Sequence, residues 1–267
     1  ERTDSFLIFS GGFMKKAALI TGAGSGIGQG VACALAEQGY HIIATDLSLD
    51  AAKLTAAMIV QPGGSAQALA VDVSDQNSID SAYAQLADQR IDLLVNNAGL
   101  QHVSPLDQFP PDKFDLLVQV MLNGAAMMAR GCLPKMREQG FGRIVNIGSI
   151  HSLIASPYKS AYVAAKHGLI GFSKVVALET ADTDITINTI CPAYVKTPLV
   201  EAQIADQAKT HGISEEQVIN EIMLKPMPKK AFITVEELAA TVSFLASDMA
   251  RNITGETISL DGGWTVQ

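Results

Sequence analysis

The sequence predicts an α/β protein: a single Rossmann-type domain with a doubly wound parallel sheet and a short helical substrate lid. Three observations predict it. Short apolar runs alternate with helical segments along the chain, the first run opens into a glycine-rich loop and a helix, and an acid closes the second run. Such alternation yields a parallel sheet covered on both faces, because each crossover helix packs back onto the strands it joins.

Ala17–Thr21, Ile42–Thr45, Ala68–Val71, Ile91–Val95, Ile144–Ile147, Thr186–Ile190 and Thr257–Leu260 read as strands. They are apolar throughout rather than alternating, which predicts burial of both faces. Helical segments are expected near 26–39, 50–60, 75–90, 112–139, 160–180 and 234–247. No linker rich in Pro, Gly or Ser divides the chain and no repeat recurs, so residues 14–267 are expected to form one catalytic domain. Residues 199–230 break the alternation with two short amphipathic helices and the loop KPMPKK. A late insertion of this kind is either a lid over the ligand crevice or a packing appendage. Residues 1–13 stand apart, since their apolar run Phe6–Phe9 is too short for a signal core and comes after Glu1 and Asp4. They are expected to be a leader or expression extension ahead of Met14.

The chain has 267 residues, 48% hydrophobic and 17% charged, with a net charge of -8, a composition that supports a substantial core. No Lys/Arg run is present to track a phosphate backbone, which excludes a nucleic-acid partner. The uncharged stretch Leu116–Ala129 contains Gln119, Asn123 and Gly124, and reads as too short and too polar to span a bilayer. Cys33, Cys132 and Cys191 are far apart, which suits neither a metal site nor a disulfide framework. The expectation is a cytoplasmic protein with buried free thiols, no metal and no membrane partner.

The strand Ala17–Thr21 runs into Thr21-Gly22-Ala23-Gly24-Ser25-Gly26-Ile27-Gly28. Glycines there let the backbone turn and approach a pyrophosphate, while the next helix offers free N–H groups at its N-terminus. Asp46 comes eighteen residues after Gly28, at a strand end, the context a dinucleotide fingerprint requires. A carboxylate there accepts ribose hydroxyls and repels a 2′-phosphate, and no Lys or Arg lies in the loop or beside Asp46 to compensate. NAD rather than NADP is the expected cofactor. Tyr162 and Lys166, four apart in SAYVAAKHGL, share a helix face. An ammonium beside a phenol favours phenolate, a general base for alcohol oxidation. Ser149 comes just after the strand Ile144–Ile147, at the carboxyl edge of the sheet where such folds place their chemistry. Asn123 sits mid-helix although Asn is a poor helix former.

Together these segments resemble the short-chain dehydrogenase/reductase family. The Thr-Gly-x-x-x-Gly-x-Gly loop is similar to its signature, and Asn96-Asn97-Ala98-Gly99 to its NNAG element. The resemblance implies that Gly22, Ser25, Gly26, Ile27, Gly28 and Asp46 bind the cofactor, with Asp72, Val73, Asn97, Ala98 and Gly99 around the adenosine. It implies that Pro192, Val195 and Thr197 bind the nicotinamide and that Tyr162 and Lys166 also touch the cofactor. Asn123, Ser149, Tyr162 and Lys166 resemble the catalytic tetrad, in which the Asn binds a water linking the Lys to solvent. Ala193 stands where the family usually has Gly, and positive φ there would strain it.

Polar residues also gather where the crevice is expected. Gln101, His151, Lys159 and Gln203 could bind a small carboxylate through charge-assisted hydrogen bonds. The segments LQHVSPLDQFP, IHSLIASPYKSAYVAAKHGL, TPLVEAQI and DGGWTVQ are similar to the branch of the family that oxidises (R)-3-hydroxybutyrate to acetoacetate. That resemblance implies a carboxylate clamp of Gln101, His151, Lys159 and Gln203, with Ser149 and Tyr162 at the reacting oxygen and Trp264 closing the pocket. The family resemblance also implies a homotetramer paired through helices 112–139 and 160–180 and the C-terminal strand. His102 and His167 read as structural. Two alternatives stay open: a dehydrogenase for a sugar, polyol or 3-oxoacyl substrate, and an NAD-sensing protein without turnover.

Overall fold

The computed structural model describes residues 15–266. The expected leader 1–13 and Met14 lie outside the described residues. Seven strands, β1 Ala17–Thr21, β2 His41–Asp46, β3 Ser65–Ala70, β4 Leu93–Asn96, β5 Gly142–Ile147, β6 Ile185–Pro192 and β7 Thr257–Leu260, form one sheet in the order β3-β2-β1-β4-β5-β6-β7. Every pairing is parallel. The order reverses between β1 and β4, and a ligand crevice opens at the carboxyl ends of the strands beside such a switch. The loops after β1, β4, β5 and β6 meet there.

Helices α1 Gly26–Glu37, α2 Leu49–Val60 and α3 Gln76–Gln85 connect the first four strands. Two apolar cores result, one on each face of the sheet. In one, Val31, Ala32 and Leu35 of α1 meet Leu238, Val242 and Leu245 of α9 (Val235–Ala246) over Ile20 and Val95. In the other, Ile79 of α3 packs with Met128, Cys132 and Met136 over Leu19, Leu94 and Ile144.

Burial of both faces holds for the central strands but not at the edges. β3 and β7 are half-buried, because each has one neighbouring strand. The β3 boundary also differs from the apolar run Ala68–Val71. Pairing of His41 with Ser65 through Asp46 with Ala70 selects Ser65–Ala70, so strand register outweighs local hydrophobicity.

The long helix between β4 and β5 is not uniform. α4 Pro111–Val118 passes through a π-helical turn, Gln119–Gly124, into α5 Ala125–Glu138. The continuous unit has 28 residues with mean hydropathy 1.4 over its most apolar window, so by length and composition it could cross a bilayer, contrary to the expectation from Leu116–Ala129. Its buried residues Met128, Ala129, Cys132 and Met136 instead pack on the sheet. Gly124 allows this approach, since a Cβ there would lie 2.5 Å from the Val73 carbonyl oxygen. The π turn adds a residue to one helical turn and so rotates α5 relative to α4.

The insertion after β6 consists of α7 Pro198–His211, α8 Glu215–Gln217 and a second π turn, Val218–Met223. Thr197 caps α7 by accepting from the Val200 amide at 3.4 Å. Ile204, Val218 and Met223 form a small core of their own, with Tyr194 and Val200 packed against it. Cys132 and Cys191 are buried free thiols, as expected, while Cys33 is half-buried. α6, Ser160–Glu179, carries Tyr162 and Lys166.

Candidate active site

The glycine loop is shaped by steric need. Gly22 has φ +62°, a region other residues avoid, and a Cβ on Gly28 would lie 2.2 Å from the Gly22 carbonyl oxygen. Ser25 and Gly26 begin α1, and Ile27 turns toward a cleft at the carboxyl edge of the sheet. Asp46 is oriented by backbone donors on both carboxylate oxygens, Gly24 N at 3.0 Å and Ser48 N at 3.0 Å. Its carboxylate therefore faces the glycine loop. Asn97 ties the second wall to that loop, its Nδ2 donating to Thr21 O at 2.9 Å and Gly22 O at 3.0 Å. Thr21 Oγ1 accepts from the amides of both Asn97 and Ala98, at 3.0 Å each. Asp72 holds the turn after β3 by accepting from Ser74 N at 2.8 Å and Ser74 Oγ at 2.6 Å. Val73 is buried beneath the π turn.

The cleft, of about 550 Å³, opens over these loops. Ile27, Asn97, Gly99, Pro192, Val195 and Thr197 line one part of it, and Gln101, Ser149, His151, Lys159 and Tyr162 another. Lys166, Gln203 and Trp264 also reach it. Residues from five loops and from α7 thus converge on one space. Ala193 is unstrained, because Tyr158 and Lys230 are the non-glycine residues with positive φ among those described.

Tyr162 and Lys166 point to the same side of α6, with Lys166 Nζ 5.8 Å from the phenol ring centroid. Lys166 is buried and donates to Ile147 O at 2.6 Å. Burial pulls its ammonium down to about 8, while the nearby Cys191 acts in the opposite direction. Burial raises the Tyr162 phenol, and a hydrogen bond with the Ser149 hydroxyl opposes the rise. Cys191 adds to the rise, and Lys166, expected from its spacing to lower the phenol, is not among the groups that shift it. Ser149 is buried and caps a short 3-10 turn by accepting from His151 N at 3.2 Å.

His151 is buried among Tyr162 and Trp264, with edge-on ring distances of 6.2 Å and 6.3 Å. Burial, then the Lys159 charge, lowers its imidazole to about 4. Its Nε2 lies 3.3 Å from Lys159 Nζ, so the neutral ring accepts there. Between pH 6.5, the ordinary histidine value, and about 4 the unfolded chain binds a proton that folded His151 refuses, so this contribution to stability is present above pH 6.5 and is lost as pH is lowered toward 4. As pH is lowered from 7 to 4, the melting temperature is expected to fall less steeply for His151→Gln than for the unaltered protein, and parallel curves would contradict the buried neutral ring.

Asn123 is not brought to this site. It is exposed and its Nδ2 donates to Gln119 Oε1 at 2.7 Å. The π turn sets Met121, two residues earlier, against the cleft instead, where it is 2% exposed and shares the wall with Ile147 and Lys166. No water-binding amide therefore stands at Asn123 beside Lys166. Asn123→Ala is expected to leave kcat within about twofold, which a steady-state assay checks, because its exposed side chain bonds to Gln119 and lines no part of the cleft.

Among the further residues that line the cleft are Tyr194, stacked on Trp264 at 6.3 Å, Val200 and Gln207 from α7, and Met223 from the second π turn. Gln207 was detectable, since it lies one helical turn after Gln203 and so shares its face. His102 packs edge-on against Phe109 at 5.1 Å, and His167 is exposed with Nδ1 at 3.0 Å from Val163 O.

A family model described as enoyl-(acyl carrier protein) reductase matches residues 22–265. The chain belongs to the short-chain dehydrogenase/reductase family. Within that family it is 47% identical to a D-beta-hydroxybutyrate dehydrogenase of Rhizobium meliloti (strain 1021), covering 95% of this chain and 100% of the relative. It is 44% identical to a D-beta-hydroxybutyrate dehydrogenase of Cupriavidus necator, covering 94% and 98%. A crystal structure from Beutenbergia cavernae, described as a candidate NAD(P)-dependent gluconate 5-dehydrogenase with NADP bound at low occupancy, superposes with TM-score 0.85 at 31% identity over 96% of this chain and 98% of that one.

Proposed function

We propose that the chain oxidises (R)-3-hydroxybutyrate to acetoacetate, reversibly, with NAD. The observation that carries this reading is the meeting of the Tyr162–Lys166–Ser149 group with a Lys159–His151 pair in one cleft. The relatives named for this activity, at 44–47% identity over nearly full length, support it.

The glycine loop fits a dinucleotide, because a Cβ at Gly24 would lie 2.7 Å from Asp46 Oδ2, leaving the carboxylate reachable only across a bare backbone. Gly22, Ser25, Gly26, Ile27 and Gly28 would hold the pyrophosphate side, Asp46 the ribose hydroxyls, and Asp72, Val73, Asn97, Ala98 and Gly99 the adenosine surroundings. Pro192, Val195 and Thr197 would hold the nicotinamide side. Bound NAD supplies the hydride acceptor. The Asp46 charge disfavours a 2′-phosphate, although NADP occupies a structural neighbour.

Tyr162 acts as the general base and takes the proton from the substrate hydroxyl. Ser149 holds that oxygen near the phenol, and Lys166 favours the phenolate once a cationic nicotinamide adds its charge. Lys159, His151, Gln101 and Gln203 bind the carboxylate, and Trp264 closes the pocket. α7 carries Gln203 and so acts as the lid. The working assembly is a cytoplasmic homotetramer, a reading supported by the exposed apolar Leu116, Val175 and Leu178 on α4 and α6.

Absorbance of NADH is the test. Turnover of (R)-3-hydroxybutyrate with NAD, and marked loss with its methyl ester, is the expected result. Equal turnover of acid and ester would remove the carboxylate clamp. A second reading, a larger sugar acid, is favoured by the gluconate-type neighbour. Faster turnover of gluconate than of hydroxybutyrate in the same assay would select it.

A further inference from the structure

Tyr158 has φ +67° and, with Lys230, is one of the two non-glycine residues in the left-handed region among those described. It follows Pro157 in a turn that leads from Ser156 to Lys159. A proline, whose ring fixes φ at about −65°, followed by a residue of positive φ is the pattern of a type II turn, which asks for Gly or Asn at that second position. Tyrosine is neither, and its Cβ is crowded there. Packing does not offset the cost, since Tyr158 is 60% exposed. Its backbone is held instead. Ser104, in the loop after β4 that also carries Gln101 and Val103 of the cleft, donates its amide to Tyr158 O at 2.9 Å. The two ends of the turn meet at one atom, with Ser156 Oγ 3.4 Å and Lys159 Nζ 3.3 Å from His151 Nε2. Strain that surrounding contacts maintain clusters at ligand clamps and active sites.

We propose that the turn Ser156–Lys159 is a bracket that seats Lys159 against His151, with Tyr158 as its positioning residue, acting through its left-handed backbone rather than its ring. The inference rests on the reading of Lys159 and His151 as carboxylate-binding groups and extends it to what aims them. A turn of this type brings its first and fourth residues within about 7 Å, which lets a short serine and a long lysine reach the same imidazole nitrogen. With negative φ at 158 that closure is lost, and the Lys159 ammonium, on four methylenes, has no fixed seat. The Ser104 bond also ties the loop of Gln101 to this turn, so two arms of the clamp share one anchor. Tyr162 and His167 are the other titratable groups that act on His151, and both are fixed by α6 itself.

Tyr158→Pro and Tyr158→Gly test it as a pair. Proline excludes positive φ, and no hydrogen bond is lost with its N–H, because the Tyr158 amide donates none among the described residues. Glycine adopts positive φ freely. The first readout needs no substrate. It is the titration of His151, followed by NMR of isotope-labelled imidazole and assigned by the signal missing from His151→Gln. Lys159 is the largest charge holding the His151 imidazole down. Tyr158→Pro should therefore move the titration up by about half a pH unit, and Tyr158→Gly should leave it within about 0.2 of the unaltered protein. The second readout is kinetic. Tyr158→Pro should raise KM for (R)-3-hydroxybutyrate about tenfold with kcat and KM for NAD within about threefold, whereas Tyr158→Gly should keep all three within about twofold. A turn that only supported the fold would change stability and leave the His151 titration where it is. An unmoved titration in Tyr158→Pro overturns the proposal. So does a shift in Tyr158→Gly as large as in Tyr158→Pro, which would assign the effect to the ring. If Tyr158→Pro does not fold, Tyr158→Ile, whose β-branch resists positive φ, takes its place under the same criteria. Inactivity of the unaltered protein on hydroxybutyrate would end the functional reading while the titration still decided the bracket. An unmoved titration in an enzyme active on hydroxybutyrate would end the bracket alone.

Discussion

Tyr162→Phe is expected to lower kcat by about 10²–10⁴-fold, the usual contribution of a positioned acid–base group, while NAD binding stays within about twofold. The phenol lies on α6 with Ser149 as its hydrogen-bond partner and Lys166 one helical turn away. Phenylalanine keeps the ring against His151, so the change removes the hydroxyl and little else. The pH profile distinguishes this from a packing effect. Burial holds the phenol above its ordinary value in the free protein. Oxidation therefore gains rate as pH rises and the phenolate forms, and the variant should lose that limb entirely. Residual activity above about a tenth that still rose with pH would assign the base to another group. Ser149→Ala should give an intermediate loss, since its hydroxyl orients the oxygen without moving the proton.

Much of this arrangement was legible because its signals are local. Tyr162 and Lys166 meet through helical spacing, and Ser149 through its place after a buried strand. Asp46 was readable from its distance to the glycine loop. Asn123 shows where such reading stops. A regular helix through 112–139 gives no reason to prefer Met121 over Asn123 at the site. The π turn at Gln119–Gly124 decides it, and at its end Gly124 lies against the backbone of Val73, a contact remote in sequence. The amide chemistry at 123 pointed to a water-binding role that its exposed position does not support. Edge strand β3 shows the same in the sheet, where pairing with β2 moved the boundary away from the most apolar residues.

Lys159→Ala is expected to raise KM for (R)-3-hydroxybutyrate about 10- to 100-fold, with KM for NAD nearly unchanged. A hydrogen bond to a charged group contributes roughly 1.5–3 kcal/mol, and each ~1.4 kcal/mol is a factor of ten. Lys159 stands at the start of α6, half-buried, and burial lowers its ammonium below the ordinary lysine value. Partial desolvation strengthens its attraction for a carboxylate, because less water competes. Its present partner is neutral His151, 3.3 Å away. A carboxylate arriving between them would draw the ammonium by charge, while His151 turns from acceptor for Lys159 to a second contact. Removing Lys159 also removes the largest charge effect that keeps His151 neutral, second to burial. The variant should therefore recover part of its substrate affinity as pH falls toward 5, where a protonated His151 supplies the missing positive charge. Lys159→Arg should retain more affinity than Lys159→Ala but not all of it, since a planar fork replaces a compact ammonium. Steady-state KM values for acid and methyl ester, measured for the three proteins from pH 5 to 8, separate these effects. The ester should be nearly indifferent to the change at Lys159, and an ester that suffers as much as the acid would make Lys159 a shaping residue rather than the charge that selects the acid.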